Sequence, residues 1–261
     1  MDDDAAGGFR DGDVLQTLTR GLSVIACFDR NHPRMTPTEV ARHANLTRAA
    51  ARRILITLVA TGYARTDGKV FELTARVLEL GYAYLSSFGL PEVARTYMED
   101  VTRDLGESCS LAVLDRGEIV YVARVAAQRI MEQVLEVGGR LPAHATALGQ
   151  VLMAALPDDE LAVILEAAPL FALTDNTITS RSDFIARLEQ VRRQGYALVD
   201  EELELGVRSI AVPVRDRRNR VIAAMNVDAH VRRMSVDEMC DRALSALRRA
   251  VNETERPIGH L

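Results

Sequence analysis

The chain has 261 residues, 48% of them hydrophobic and 26% charged, the balance of an ordinary globular protein with length for one large domain or two smaller ones. No run approaches the roughly 18 apolar residues of a membrane span, the Met-Asp-Asp-Asp start lacks the basic and apolar regions of a secretory leader, and Cys27, Cys109 and Cys240 are too scattered for a disulfide framework or a metal knuckle. A cytoplasmic protein is expected, with no membrane partner. The net charge of −5 hides a polarity: residues 14–76 hold ten basic and four acidic side chains, a local +6, so the remainder carries −11. Such asymmetry is expected when one module meets a polyanion and the rest does not.

Residues 1–13 are acidic and Gly-rich, and predict a disordered tail. Val14, Leu15, Leu18, Leu22, Ile25 and Ala26 recur at helical spacing and predict a first helix. Thr36-Pro37-Thr38-Glu39 reads as a capping box with proline at the first helical position, opening a second helix that Asn45-Leu46-Thr47 breaks after about two turns. Thr47 caps a third helix over 48–61, which Gly62 can end in the left-handed region. Two short alternating runs around an Asp67-Gly68 turn predict a hairpin, and Thr74 caps a linker helix over 75–90.

The rest is mixed. A helix is expected over 91–105, strands over 108–114 and 119–126 around the turn 115–118, and another strand over 130–137. Helices are expected over 146–155, 158–168 and 182–195, strands over 197–200, 209–214 and 221–228, and a last helix over 236–253. The fold class expected is therefore α+β.

Three short helices, a tight turn between the second and third, and a two-stranded wing describe a winged helix-turn-helix covering 14–74. The third helix of such a module enters the major groove N-terminus first. Ala51, Ile54, Leu55 and Leu58 form its buried stripe, while Arg48, Arg52 and Arg53 lie on other faces within two turns of the N-terminus. Arginine can bridge guanine O6 and N7, small Ala49 and Ala50 permit close approach, and Thr36 and Thr47 stand where hydroxyls meet phosphate. Arg65 and Lys69 flank the wing tip, within reach of phosphate or the minor groove. The expected partner is double-stranded operator DNA, palindromic because a symmetric dimer presents two recognition helices. The plainer reading of these arginines as a solvated face competes, as does a winged module that binds protein beside a small-molecule sensor.

In the second half, Leu141-Pro142-Ala143-His144-Ala145-Thr146-Ala147-Leu148-Gly149 places small residues at a helix start, where free backbone N–H groups suit a carboxylate. Asn226 and Asp228 project from one face of a strand, and Ser209 stands in a neighbouring strand-like stretch. Polar groups in an apolar sheet need a partner if buried, and a small organic acid supplies one; exposed strand ends are the equal alternative. Arg124, between Ala123 and Val125, is a candidate clamp for a carboxylate or a surface arginine. His144, Asp228 and Ser209 can be drawn as a hydrolase triad, and His144, His230 and Asp228 as metal ligands, but no GxSxG elbow or HExxH spacing accompanies either. No catalytic residue, metal site or cofactor is expected.

The stretch 36–63 with its wing, LPAHATALGQVLMA (141–154), YALVDEELELGVRSIAVPVRD (196–216) and AAMNVDAH (223–230) together resemble the IclR-type family of bacterial transcription regulators over nearly all of 14–250. YVARV (121–125) and NVDAH (226–230) are similar to the subgroup controlling protocatechuate and β-ketoadipate catabolism. The resemblance implies a GAF/PAS-like effector domain over 91–261, built on a six-stranded antiparallel sheet, and a homodimer or tetramer. It implies an effector site at the backbone of Ala147 and Leu148 with Val199, Val207, Ser209, Asn226 and Asp228, to which the helix start adds His144, Thr146 and Gly149. Family members that bind small oxo-acids often carry Asp, Cys and paired Ser where this chain has Val199, Ser209, Asn226 and Asp228, which argues against glyoxylate-like ligands.

Overall fold

The computed structural model describes residues 14–29, 31–81, 89–127 and 136–258, and the chain divides into two units, Met1–Ser86 and Ser87–Leu261. The expected tail over 1–13, most of the strand expected over 130–137, and residues 82–88 of the expected linker helix lie outside the described residues.

In the first unit α1 (Gln16–Ala26), α2 (Pro37–His43) and α3 (Arg48–Ala60) precede the hairpin of β1 (Ala64–Thr66) and β2 (Phe71–Leu73). Each boundary follows from local chemistry. Thr36 Oγ1 accepts from the Glu39 N–H while the Glu39 carboxylate accepts from the Thr36 N–H at 2.7 Å, so two donors at the start of α2 are satisfied reciprocally. Asn45 takes φ +51°, a left-handed conformation asparagine tolerates, and turns the chain from α2 into α3. Thr47 Oγ1 then accepts from the Ala50 N–H at 3.2 Å, a cap worth about 1 kcal/mol. Ala51, Leu55 and Leu58 meet Val24, Met35, Val40 and Phe71 in one core. Met35 and Phe71 exchange both backbone hydrogen bonds, 3.0 and 2.8 Å, which fastens the wing to the chain entering α2. The wing corrects one expectation. Its first pair is Thr66 with Phe71, so the loop has four residues, 67–70, rather than the two of an Asp67-Gly68 turn. Asp67 Oδ1 accepts from the N–H groups of Lys69 and Val70 and closes this wider turn by itself. After Thr74 the chain makes a single 3-10 turn, Ala75–Val77, before turning helical over 78–81.

The second unit is built on a six-stranded sheet, antiparallel throughout, with strand order β5-β4-β3-β8-β7-β6. The strands are β3 (Ser108–Asp115), β4 (Glu118–Val125), β5 (Arg140–Pro142), β6 (Ala197–Asp200), β7 (Val207–Arg215) and β8 (Val221–His230). Cα partners in such a sheet point to the same face. One face carries Ala112, Tyr121, Val199, Ala211 and Ala224 against α5 (Ala147–Ala154), which packs in turn on α7 (Arg181–Gln194), with α6 (Asp158–Ala167) in the same core. The helices α4 (Leu90–Leu105) and α9 (Leu244–Ile258) pack on each other and on the sheet. The single helix expected over 236–253 is interrupted: α8 (Val236–Glu238) leads into a π-helical turn, Met239–Ala243, before α9. A bulge between Leu111 and Ala112 also breaks the β3–β4 register. Arg124 opposes Ser110 and Ala123 opposes Leu111, yet Ala112 is opposed by Tyr121, so β4 holds one extra residue.

Candidate functional site

The first candidate surface is the start of α3. Arg48, Ala49, Arg52 and Arg53 are exposed, and among the described residues Arg48, Arg52, Arg53 and Lys69 have no carboxylate partner. Three other cations of the basic segment, Arg34, Arg65 and Arg76, are already engaged. Arg76 donates to the Thr61 carbonyl at 2.8 Å and lies over the Tyr63 ring, closing the C-terminal end of α3. Arg34 pairs with Asp67, and Arg65 with Glu72 at 2.6 Å, so the wing's acidic groups are neutralised from within the unit. Arg53 departs from the sequence grouping. It lines the groove between α1 and α3 with Leu15, Leu18 and Ile54, whereas Arg48 and Arg52 stand four apart at the helix start. Thr36 departs too, because its hydroxyl donates to Glu39 at 2.8 Å and is spent on the capping box.

The second is a narrow cavity of about 20 Å³ between the start of α5 and the sheet, room for about one water molecule and far below the roughly 300–1,000 Å³ of ligand pockets, so a larger ligand fits only if its walls move apart. Thr146, Ala147, Leu148, Val199, Val207, Ser209, Asn226 and Asp228 line it, joined by Tyr121, Ala145 and Leu203, which the sequence reading did not select. Thr146 Oγ1 caps α5 by accepting from the Gly149 N–H at 3.1 Å. The N–H groups of Ala147 and Leu148, in the first turn, have no backbone acceptor among the described residues, as the first amides of any helix do not. Across the cavity, Asn226 Nδ2 donates to Ser209 Oγ at 2.9 Å and to Asp228 Oδ1 at 2.7 Å. The carboxylate fixes which way this amide points, since only the NH₂ end can face an acceptor. Asn226 Oδ1 is thereby left buried and without a hydrogen bond, on a residue only 2% exposed. Burial, then the Asp228 charge, pushes the Tyr121 phenol up, with Arg124 opposing. Tyr121 is therefore a neutral phenol facing the cavity.

Three residues from the sequence reading stand elsewhere. His144 Nε2 lies 3.0 Å from the Phe171 carbonyl oxygen, and its ring packs edge-on to Phe171 and Phe184. Gly149 is a packing residue: a Cβ there would sit 2.1 Å from the Ala143 oxygen. Arg124 shares the cavity's face without lining it. Ser110 is the register partner of both Arg124 and Asn226, and Arg124 Nη1 is 3.4 Å from Ser110 Oγ. Ser209 and Asp228 are cross-strand partners, but with His144 held on Phe171 and His230 Nδ1 accepting the Arg232 N–H, neither the drawn triad nor the drawn metal set is assembled. Within the same core, Gln150 Nε2 donates to the His144 carbonyl and to Glu202 Oε2, both at 3.0 Å, and Glu202 is 4% exposed with Arg187 at 3.5 Å. Burial holds the Glu202 carboxyl above the usual range.

Two family descriptions match the chain: "IclR helix-turn-helix domain" over residues 17–68 and "Bacterial transcriptional regulator IclR C-terminal" over 82–256. The chain is 41% identical over 238 residues to the Pca regulon regulatory protein of Pseudomonas putida, covering 91% of this chain and 82% of that one. It is 37% identical over 249 residues to the p-hydroxybenzoate hydroxylase transcriptional activator of Acinetobacter baylyi, covering 94% and 92%. A solved structure of an IclR homolog from Microbacterium hydrocarbonoxydans, in complex with 4-hydroxybenzoate, superposes with a TM-score of 0.83 at 26% identity, covering 93% of this chain and 99% of that one.

Proposed function

Because the chain belongs to the IclR family of bacterial transcription regulators, a family of DNA-binding regulators rather than enzymes, we propose that it controls, from the cytoplasm, an operon for the breakdown of an aromatic acid and responds to a small carboxylic acid of that pathway. The relatives' own subjects, the Pca regulon and p-hydroxybenzoate hydroxylase, support the pathway class. One observation carries the effector: Ala147 and Leu148, whose N–H groups have no backbone acceptor among the described residues, line the same cavity as a buried amide, Asn226, whose Oδ1 has no partner. A carboxylate at the start of α5 gains hydrogen bonds and the favourable end of the helix dipole together. Ser209, Asp228, Thr146, Val199 and Val207 complete the wall. Arg48 and Arg52, with the hydroxyl of Thr47, read operator DNA, and two protomers on a palindrome present two such helices about one turn of duplex or a multiple apart.

The acid acts through unequal affinity for two arrangements of the dimer. A coupling of about 1–3 kcal/mol changes operator affinity about 5- to 150-fold. The test uses 4-hydroxybenzoate as probe: calorimetry for its binding, and fluorescence anisotropy on a duplex selected by the protein for operator affinity with and without it. Asn226→Leu weakens the acid and leaves acid-free DNA affinity unchanged; an Asn226→Leu variant that binds the acid as tightly as wild type refutes the site.

A further inference from the structure

The cavity is too small for an aromatic acid, so a wall must yield, and the walls differ in how firmly they are held. The α5 wall is fixed: Ala145, Ala147 and Leu148 are buried, and Gly149 packs directly on the Ala143 backbone. Val199, Ser209 and Asp228 sit in the paired ladders of β6, β7 and β8. Leu203 alone among the lining residues lies in neither a strand nor the helix start. It stands half-buried in the loop 201–206 between β6 and β7, where Leu205 is 68% exposed.

Polar clasps fasten that loop. Thr174 Oγ1 donates to the Glu201 carbonyl and Thr177 Oγ1 to the Glu202 carbonyl, both at 2.6 Å. The Glu202 side chain reaches inward to Gln150 and Arg187. Burial opposes its charge, and Gln150 Oε1 is left buried without a hydrogen bond among the described residues. Polar contacts of this kind exchange for water at small net cost, unlike the apolar contacts of a core. The two ends of the loop, Glu201 and Gly206, hold positive φ of +60° and +84°, and the Gly206 N–H donates to the Glu201 carboxylate at 2.7 Å. A glutamate in that region is strained, and opening the loop releases the strain.

We propose that residues 201–206 form the gate of the cavity, with Leu203 as its plug and the contacts of Thr174, Gln150 and Glu202 as its latch. This rests on the reading of the cavity as an acid site, and adds how an acid enters a space the size of one water. Withdrawing one leucine side chain from a packed wall opens space on the order of 150 Å³, enough for a benzene ring. Plug and acid therefore compete. The closed loop binds no acid, and the apparent affinity is the intrinsic one reduced by the fraction of molecules that are open. A weaker latch tightens binding, the opposite of what losing a structural contact does.

The full-length protein is titrated with 4-hydroxybenzoate by calorimetry, and amide hydrogen exchange is followed with and without the acid. Leu203→Ala and Thr174→Val each bind the acid at least threefold tighter than wild type. In wild type the Glu201 and Gly206 amides exchange faster than those inside β7 and β8, and faster again with the acid bound. A gain below threefold in either variant, or a loss, overturns the gate. So does exchange at Glu201 and Gly206 as slow as inside β7, or slowed by the acid, and this arm decides the matter even if a variant folds poorly. Wild-type protein that does not bind the acid overturns the acid site, and exchange of the acid-free loop then decides the gate by itself.

Discussion

Gly149 lies in the first turns of α5, where helix propensity alone recommends alanine by about 1 kcal/mol. The tertiary structure reverses that expectation. A Cβ at 149 would sit 2.1 Å from the Ala143 oxygen, 2.3 Å from its Cα and 2.5 Å from its carbonyl carbon. Relief to an ordinary contact of 3.4 Å requires about 1.3 Å of movement between α5 and the Ala143–Ala145 turn. The clashing atoms are backbone and Ala143 is fully buried, so no side chain can swing away. Overpacking of this kind costs about 1–3 kcal/mol, and a backbone obstacle places it at the upper end. Against the propensity gain, Gly149→Ala loses about 2 kcal/mol net, or about 4–8 °C in Tm for a unit of this size. The same movement displaces the Ala147 and Leu148 amides, so affinity for 4-hydroxybenzoate falls with it. Differential scanning calorimetry follows the Tm and isothermal titration the acid. A Gly149→Ala protein as stable as wild type, or more so, refutes the packing argument; one that is destabilised but binds the acid normally refutes the link between the glycine and the amides.

Arg48→Ala or Arg52→Ala weakens operator binding by about 1–3 kcal/mol where the contact is to a base, and relaxes sequence preference there; wild-type affinity for both variants at matched salt removes α3 as the reader. Backbone and hydroxyl hydrogen bonds from Thr36 hold the Glu39 carboxyl below its ordinary value. Its contribution is therefore present above the ordinary glutamate range and lost as pH falls through the lowered value; Glu39→Gln flattens the acid limb of the N-terminal unit's unfolding curve, and an unchanged limb counts against the capping box as the cause. Glu202 has the opposite sign. Burial raises its carboxyl, so the folded chain holds the proton more tightly, and this contribution is full below the unfolded value and lost as pH rises through the folded one. Glu202→Gln gains stability relative to wild type as pH rises through that window, read from urea midpoints, and parallel profiles refute it.

The features legible in the sequence were those whose interacting groups are three or four residues apart. Thr36 with Glu39 and Thr47 with Ala50 are hydrogen bonds within a single turn, and Asn45 answers to its own φ, so residue type and spacing sufficed to draw three helices and a wing. Strand alternation likewise put Asn226 and Asp228 on one face. The tertiary structure decided what crosses long separations. Strict alternation along β4 would send Tyr121 and Arg124 to opposite faces, and only the extra residue at the bulge brings both onto the cavity side. His144 looked like a ligand because it precedes a helix start, but its partner is the Phe171 carbonyl, 27 residues on. Gln150 and Glu202 meet across 52 residues, and Gly149 is glycine because the Ala143 backbone fills the space its Cβ would need. Local hydrogen bonds are dictated by covalent spacing; which buried polar groups find one another is dictated by how helices and sheet close on a shared core, and no window along the chain contains that information.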